Sequence, residues 1–325
     1  MLTSLHKVLG MTALVLLPVV MAAPASAQNY PNRTVKMIVP FGAGGPADVY
    51  ARALAQYLSD ETKQSFIIEN RPGAGALIGT DAVAKSTPDG YTLLVMSNTH
   101  TTNESLLSNK PYELMRDFVP VATINYSDLL MVVHPKVEAK TVAEFIALAK
   151  KDPGKLNYAS SGPGTPYHMA GELFKAMSKT DIVHIPHKAS GDARNSVLSG
   201  NVQMMLDAVT TMSELAKGGQ VRAVATTGLK RNPLTPDLPT VAETVPGYEA
   251  TIWLGVMAPK GTPKDVIASL NTSINKVINL PAVKEAWLKQ GAISLVKTPD
   301  EFDAYLKKDI EKWAEVVKVS GAKVQ

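Results

Sequence analysis

The sequence predicts an α/β protein made of two similar units, each a sheet with helices on its faces. Short β-rich runs alternate with longer helical ones, and a repeated strand–loop–helix order occurs near the start of the chain and again in its middle. In both units a glycine-containing loop follows a strand and precedes a helix. Because ligands of open α/β sheets bind at the carboxyl ends of strands, we expect a binding cleft between the units.

The first unit is predicted from three strands and two helices, at residues 35–39, 66–69 and 91–96 and at 47–58 and 78–84. The second unit repeats this order with strands at 129–133, 156–159, 182–185, 202–206 and 221–226 and helices at 142–150, 167–177 and 193–198. A proline-rich connection at 232–247 leads to a strand at 252–258 and to helices at 264–278 and 299–319. The second unit is therefore predicted to be inserted between the first unit and a C-terminal return.

This order predicts where the chain divides. Residues 28–126 together with 250–325 form the first predicted lobe, and residues 127–249 form the second. The hinge is expected at the two crossovers, near Tyr126 and near Ala250.

Composition excludes several classes of protein. The chain has 325 residues, 45% of them hydrophobic, which fits about two folded domains rather than a disordered chain. Lys+Arg 33 against Asp+Glu 29 gives a net charge of only +4, without the basic stripe that nucleic-acid binding requires. The absence of cysteine excludes disulfides, thiol nucleophiles and thiolate metal sites.

The N-terminus is predicted to be a secretory signal peptide covering residues 1–27. An apolar run at 8–23 follows Lys7 and ends in the small-residue site Pro24-Ala25-Ser26-Ala27, with cleavage expected after Ala27. The alternative is an uncleaved membrane anchor, although the run is shorter than the about 20 apolar residues that span a bilayer. We expect a soluble, exported protein.

The most informative segment is the loop between the first strand and the first helix, Pro40-Phe41-Gly42-Ala43-Gly44-Gly45-Pro46-Ala47-Asp48. Its glycines allow close backbone approach to a ligand, and Pro46 suits the first turn of a helix, whose N-terminus attracts anions. Asp48 either contacts the ligand or complements the helix dipole. A second loop, Ser160-Ser161-Gly162-Pro163-Gly164-Thr165-Pro166, offers hydroxyls and backbone donors in the same position of the second unit, either for a ligand or as a capped turn.

Two catalytic alternatives use the same loops. Gly42, Gly44 and Ala47 imitate a dinucleotide fingerprint, with Glu69 placed where a ribose-binding acid would lie, but Pro46 and export argue against it. An exported serine hydrolase would use Ser160, His168 and Asp207, but the chain has no G-x-S-x-G motif.

Three further features concern possible ligand contacts outside the two loops. His184 and His187 suggest a metal ligand pair, but an extended segment with Pro186 between them places them on alternate faces. Trp253 is the one tryptophan that we expect close enough to a crossover to line the cleft. The segment Ser97-Asn98-Thr99-His100-Thr101-Thr102 is interpreted as a polar loop that reads the far end of the ligand.

Motifs along nearly the whole mature chain resemble those of the Bug family, the periplasmic solute receptors of tripartite tricarboxylate transporters. The resemblance rests on residues 40–48 with Ala51-Arg52, on 69–75, 88–94, 158–165 and 168–174, and on 237–243 and 258–263. It implies a two-lobed periplasmic-binding-protein fold (type II, Venus flytrap) with mixed sheets flanked by helices. It further implies a non-enzymatic receptor, monomeric and free of metal and cofactor, that delivers a small organic carboxylate to membrane subunits.

The family's binding residues map onto both loops. In the family, backbone donors and ordered water hold one carboxylate, which on this chain implies Phe41, Gly42, Ala43, Gly44 and Gly45 together with Ser160, Ser161, Gly164 and Thr165, with His168 and Asp207 near the pocket. Dicarboxylates, tricarboxylates, acidic amino acids and aromatic acids all remain open as ligands.

The sequence departs from the family pattern at two positions. Arg194 replaces an apolar residue of the family, and His187 replaces an aromatic phenol. Either these side chains lie on a solvated helix face, or one of them faces the cleft and pairs with a second acidic group of the ligand.

Overall fold

The computed structural model describes residues 30–188 and 190–320. The predicted signal peptide, with its cleavage site after Ala27, lies outside the described residues. Across the described part of the chain, no helix combines the length and the hydropathy needed to cross a bilayer.

The strands and helices alternate along the chain. The strands are β1 (Val35–Val39), β2 (Phe66–Asn70), β3 (Thr92–Ser97), β4 (Phe118–Val133), β5 (Asn157–Ser160), β6 (Val183–Pro186), β7 (Met204–Ala208), β8 (Arg222–Thr226), β9 (Thr251–Pro259) and β10 (Ala292–Ser294). The helices are α1 (Pro46–Thr62), α2 (Leu77–Ala84), α3 (Asn98–Leu106), α4 (Leu114–Asp117), α5 (Val142–Lys151), α6 (Pro166–Ser178), α7 (Ser190–Leu198), α8 (Val209–Lys217), α9 (Lys264–Ile278), α10 (Pro281–Lys289) and α11 (Pro299–Ser320).

Two mixed sheets share the long strand β4. In the first sheet β1 pairs in parallel with β2 and β3, and β9 lies antiparallel between β3 and the first part of β4. In the second sheet β5 pairs in parallel with β6 and β7, and the last part of β4 lies antiparallel to β7 and β8. The pairing of β4 with β9 ends at Asp128↔Thr251, and its pairing with β7 begins at Leu129↔Ala208. The sheets therefore change within one residue step of β4, close to the predicted hinge at Tyr126.

The crossover strands present alternate residues to opposite sides, as the two-residue period of a strand requires. Asn125, Ser127, Ile252 and Leu254 line a cavity between the sheets. Trp253 points the other way, is 1% exposed, and packs against Phe302 and Tyr305 of α11. The expectation that Trp253 lines the cleft is therefore wrong, because it lies one residue out of register with the cleft-facing positions.

Helix α11 joins the two lobes a third time. Phe302 and Leu306 near its start pack with the first sheet, whereas Trp313 and Val316 near its end belong to the core of the second. The predicted division placed the whole of 250–325 with the first lobe and did not include this contact.

The segment that follows β3 is a helix rather than the polar loop expected from its composition. Ser97 caps α3 by accepting from the Thr99 amide at 3.2 Å. The His100 and Thr101 side chains are fully buried, and Thr101 donates to Asp309 of α11 at 2.6 Å. The prediction of a polar loop is wrong because these polar side chains form hydrogen bonds within the protein rather than with water.

Replacing Gly171 with alanine tests how tightly the second lobe is packed. A Cβ atom at Gly171 in α6 would lie 2.2 Å from the buried Tyr158 ring, so the backbone or the ring would have to move. We expect Gly171→Ala to lower the free energy of unfolding in urea by about 1–3 kcal/mol. The matched control is Gly191→Ala in α7, where a Cβ meets nothing within 4 Å and helix propensity favours alanine. Equal stability of the two variants would contradict the packing.

Candidate ligand-binding site

A cavity of about 240 Å³ lies between the two sheets. Its walls come from both lobes and from the crossover strands. The lining residues are Phe41, Gly45, Pro46, Ala47, Tyr50, Ser97, Thr99, Asn125, Ser127, Pro166, Tyr167, Ser190, Ala208, Ile252, Leu254 and Gln290.

The N-termini of five helices meet at this cavity. Gly45–Ala47 begin α1, Ser97 and Thr99 begin α3, and Pro166 and Tyr167 begin α6, while Ser190 begins α7 and Ala208 caps α8. The first-turn amides of a helix have no acceptor within the helix, and the helix dipole adds partial positive charge at this end. The convergence therefore favours an anionic group.

A buried amide group in the cavity wall is also without an acceptor. Asn125 is 2% exposed, and its Nδ2 atom has no hydrogen-bond partner among the described residues. Buried donors are almost always paired in folded proteins, so an unpaired donor facing a cavity indicates that a ligand or water supplies the acceptor. Together with the helix N-termini, Asn125 makes the cavity rich in donors.

The first glycine loop is fixed by its own helix. The Gly44 amide donates to the Asp48 carboxylate at 2.9 Å, and Asn70 and Arg52 donate to the same carboxylate at 2.9 and 3.0 Å. Burial favours the neutral acid, but the hydrogen bonds from Arg52, Gly44 and Asn70 prevail and lower the pKa of Asp48. Asp48 therefore shapes the loop, and these contacts occupy both of its oxygens.

The second loop has nearly the same geometry. The Gly164 amide donates to Nδ1 of His168 at 3.0 Å, and the Thr165 hydroxyl caps α6. Gly44 and Gly164 have φ values of 77° and 75°, a region that glycine enters without strain. These two glycine amides are used inside the loops, so the loop and first-turn residues that line the cavity with a backbone amide are Gly45, Ala47 and Tyr167.

The walls between the helix ends are largely apolar. Phe41 and Tyr50 from the first lobe face Tyr167 from the second, and Ile252 and Leu254 form the floor on the crossover strand β9. Burial of a hydrocarbon or aromatic body against an apolar wall contributes about 25 cal/mol of binding free energy per Å² of apolar surface. The site therefore suits an acid whose body is apolar.

Arg194 lies at the mouth of the cleft and not on a solvated face. Its side chain is 26% exposed, and it pairs with the fully buried Asp207 carboxylate at 2.5 Å. It lines a second groove, continuous with the cavity, together with Gly44 of the first lobe and Lys289. Burial alone would lower the pKa of Arg194, but the contact with Asp207 raises it. The guanidinium is thus charged and held in place, with its Nη1 atom outside the pair.

The structure brings together only part of the predicted residue set. Phe41 and Gly45 line the cavity, and Gly44, Gly45 and Arg194 line the adjoining groove. Gly42 and Ala43 are exposed residues of the loop that line neither space. The remaining predicted residues lie behind the lining: Asp48, Ser160, Ser161, Gly164, Thr165, His168 and Asp207. In the second lobe the lining begins at Pro166, one residue after the predicted loop residues end at Thr165.

The hydrolase triad is not assembled. The Ser160 hydroxyl lies 2.6 Å from Nε2 of His184, not beside His168, and Ser160 is fully buried. Asp207 is occupied by Arg194. A nucleophile must reach a substrate, and this hydroxyl faces the interior of the loop.

The dinucleotide and metal alternatives also lack their geometry. Glu69, the expected ribose ligand, pairs with Arg71 and with Lys36, the latter at 2.8 Å, and these contacts lower its pKa. His184 stacks on His168 at 4.1 Å, while His187 bonds to the Ile185 carbonyl at 3.0 Å. Among residues 30–188 and 190–320, no three acidic or histidine side chains form a group able to hold a metal ion.

Several lining residues had no usable signal in the sequence. Asn125 and Ser127 lie in the part of β4 that the sequence did not identify as a strand, and Ser190 and Ala208 begin helices whose starts were not predicted. Tyr50 lies on a correctly predicted helix, four residues beyond Pro46, where its ring faces the same side as the first turn.

The chain is similar to known proteins over most of its length. A family model described as "Tripartite tricarboxylate transporter family receptor" matches residues 50–322. The protein BugT of Bordetella pertussis is 39% identical over 307 residues, which cover 94% of this chain and 94% of BugT.

Solved structures share the fold. A protein of R. palustris solved with adipate is 34% identical, with a TM-score of 0.81 over 91% of this chain and 100% of its own. The periplasmic binding protein BugD is 34% identical with a TM-score of 0.77, over 91% of this chain and 100% of its own. MatC from Rhodopseudomonas palustris, solved with bound malate, is 29% identical with a TM-score of 0.76, over 89% of this chain and 100% of MatC.

Proposed function

The chain belongs to the tripartite tricarboxylate transporter receptor family, and from this premise we propose that it is a periplasmic receptor that captures a small organic carboxylate. Its fold is the two-lobed α/β fold of periplasmic binding proteins, with mixed sheets flanked by helices. The proposal makes it a binding protein without catalytic activity or cofactor, which acts as a monomer and delivers its ligand to membrane subunits.

One observation carries the proposal: five helix N-termini surround one cavity together with the Asn125 side chain, whose Nδ2 atom has no partner within residues 30–188 and 190–320. A carboxylate there would accept hydrogen bonds from donors that have no acceptor within their own helices. At the mouth of the cavity Arg194 pairs with Asp207 and Lys289 pairs with Glu285, so helix dipoles supply most of the remaining positive potential. These donors lie on both lobes, so the anion is bound fully only when the lobes close.

The ligand class proposed here is an acid with an apolar body. One carboxylate would lie at the helix ends and the body along Tyr50, Tyr167 and Leu254. A second acidic group, where the ligand has one, would reach Arg194 at the mouth of the cleft. Adipate fits this description, and malate, which bears a hydroxyl on a shorter body, fits it less well. We include both as probes because structural neighbours were solved with them.

The protein is proposed to be exported and to close by a movement of its two lobes. The signal peptide, residues 1–27, would export the chain and be removed after Ala27. The lobes, 28–126 with 250–325 and 127–249, would rotate about the crossovers near Asp128 and Thr251. Closure would then present a form that the membrane subunits recognise.

Thermal unfolding with a panel of acids tests the function. A ligand that binds only the folded protein raises the free energy of unfolding, by about 2.7 kcal/mol at a ligand concentration a hundredfold above Kd, and so raises the melting temperature. We expect at least one mono- or dicarboxylate to raise it, and the diamide of the same skeleton to leave it unchanged. Neutral amides with an effect equal to that of the acids would contradict an anion site.

Calorimetry with NAD and an ester-hydrolysis assay complete this test. NAD binding would favour the oxidoreductase alternative built on Gly42–Ala47. Ester turnover that is abolished by Ser160→Ala would favour the hydrolase. We expect neither result, because Glu69 and Ser160 are engaged in internal contacts.

A further inference from the structure

Two different side chains hold the two glycine loops in the same shape. Asp48 and His168 each occupy the third position of a helix that begins with proline, and each accepts from a glycine amide four residues earlier, at 2.9 and 3.0 Å. A carboxylate accepts such a bond with either oxygen. An imidazole nitrogen accepts only while it carries no proton.

We propose that His168 is a neutral positioning residue that holds the second loop through Nδ1, and that its protonation releases this loop while the first loop stays intact. This inference goes beyond the proposed function, because it assigns acid sensitivity to one lobe of the cleft. It holds for any ligand of the cavity.

The surroundings of His168 favour one tautomer. Its Nδ1 atom accepts from the Gly164 amide at 3.0 Å, and its Nε2 atom lies 4.0 Å from Oε1 of Glu172, beyond hydrogen-bond distance, where the negative charge of the carboxylate favours an N–H over a lone pair. A proton on Nε2 therefore suits both neighbours. The arrangement fixes the ring, and the ring fixes the start of α6, where Tyr167 lines the cavity.

Within the described part of the chain, the charged and titratable groups around this ring belong to three elements. On α6, Glu172 accepts from Lys175 at 3.1 Å and also from Tyr158 of β5 at 2.5 Å. On β6, His184 stacks on His168 at 4.1 Å, and its own Nε2 faces Ser160. Of these groups only Glu172 favours a proton on His168. The ion pair between Glu172 and Lys175 offsets part of this effect.

The balance of these effects keeps His168 neutral. Burial lowers its pKa, Glu172 opposes the shift, and Lys175 adds to it; burial also lowers the pKa of His184 to about 3. At pH values above 6.5, the ordinary pKa of histidine, His168 carries no added proton whether or not the loop is bonded to it. Below pH 6.5 His168 takes up a proton more readily when the loop is released. The bonded loop therefore loses stability as the pH falls. The lowered pKa of Asp48 preserves the first loop over the same range.

Nuclear magnetic resonance of the ligand-free protein tests the inference without a known ligand. With ¹⁵N-labelled histidine and glycine, we expect His168 to show the Nε2–H tautomer at pH 7.5. We expect the Gly164 amide signal to shift in the pH range where His168 takes up a proton, and the protection of this amide from exchange, measured against the intrinsic rate at the same pH, to fall. The protection of the Gly44 amide should stay constant over that range. An Nδ1–H tautomer, or a Gly164 amide indifferent to the protonation of His168, would overturn the proposal.

Substitutions separate positioning from general packing. We expect His168→Ala to speed exchange of the Gly164 amide at least tenfold at pH 7.5. His168→Asn keeps a side-chain oxygen at the same helix position, where Asp48 makes the equivalent bond, and should restore the protection and remove its loss in acid. The matched control is His134→Asn, whose ring bonds to Lys136 away from the loop and whose replacement should change nothing at Gly164. A pH response that persists in His168→Asn would count against the assignment.

Adipate titrations at pH 7.5 and 5.5 add a binding measurement. Protonation of the ligand affects the wild type and His168→Asn equally, so the ratio of their affinities isolates the residue. Between pH 7.5 and 5.5 we expect the affinity for adipate to fall at least threefold more in the wild type than in His168→Asn. An equal fall in both proteins would contradict the proposal. If adipate does not bind at all, the ligand choice fails, whereas the amide and tautomer measurements still decide the role of His168.

Discussion

Ala208→Asp is expected to weaken carboxylate binding about a hundredfold without unfolding the protein. Ala208 is the N-cap of α8 and lines both the cavity and the groove at its mouth. An aspartate there is a favourable cap for the helix, worth about 0.5–2 kcal/mol over alanine. The same negative charge also repels a carboxylate in the cavity that residue 208 lines. If the two charges are about 6 Å apart at an effective dielectric constant near 20, the repulsion is about 3 kcal/mol, which corresponds to an about hundredfold loss of affinity. Isothermal titration calorimetry gives the affinity, and thermal unfolding without ligand gives the stability.

Ala208→Asn is the matched control for this substitution. Asparagine has nearly the same shape and capping ability as aspartate but no charge. We expect it to bind acids within a few-fold of the wild type. Similar affinities of the Asp and Asn variants would show that the carboxylate does not lie at the convergent helix ends, and the proposed site would have to be abandoned.

Removing Arg194 is expected to act on dicarboxylates selectively and on stability strongly. Arg194→Ala leaves the fully buried Asp207 carboxylate without its partner, which in buried pairs costs about 3–5 kcal/mol. Loss of the guanidinium at the mouth of the cleft should lower the affinity for adipate at least tenfold more than the affinity for hexanoate, because only adipate carries a second charge.

The double variant Arg194→Ala/Asp207→Asn separates the two effects. It removes the unpaired charge, so most of the stability should return, and ligand affinities can be compared on a well-folded protein. We expect the selective loss of adipate to persist there. Equal weakening of adipate and hexanoate would show that Arg194 only neutralises Asp207 and takes no part in ligand recognition.

The order of strands and helices was predictable because it depends on local patterns. The periods of apolar residues predicted β1, α1, β2 and most later elements to within a few residues of their bounds. Pro46 correctly indicated where α1 begins, and the predicted start of α6 at Tyr167 lies one residue after its observed start at Pro166. The matching loops in the two units therefore follow from residues that are neighbours along the chain.

The first part of β4 and the helix α3 were not predictable from the same patterns. In both segments polar residues such as Asn125 and Thr101 are buried, so a polar residue type did not indicate a solvent-exposed position. Their hydrogen-bonding groups face partners far away in sequence, or the cavity itself. Such positions break the alternation on which the prediction of strands and helices depends.

Local patterns along the chain were thus enough to predict the α/β class, the two units and the two glycine loops, because each is a property of neighbouring residues. Contacts between remote residues were needed to show that the amides of Gly44 and Gly164 turn inward, that Arg194 pairs with Asp207, and that five helices begin at one cavity. These features arise from contacts among strands and helices brought together by the packing of two sheets around β4 and β9. A local pattern carries no information about which helix ends such packing will bring together, or about which face of a crossover strand will meet the ligand.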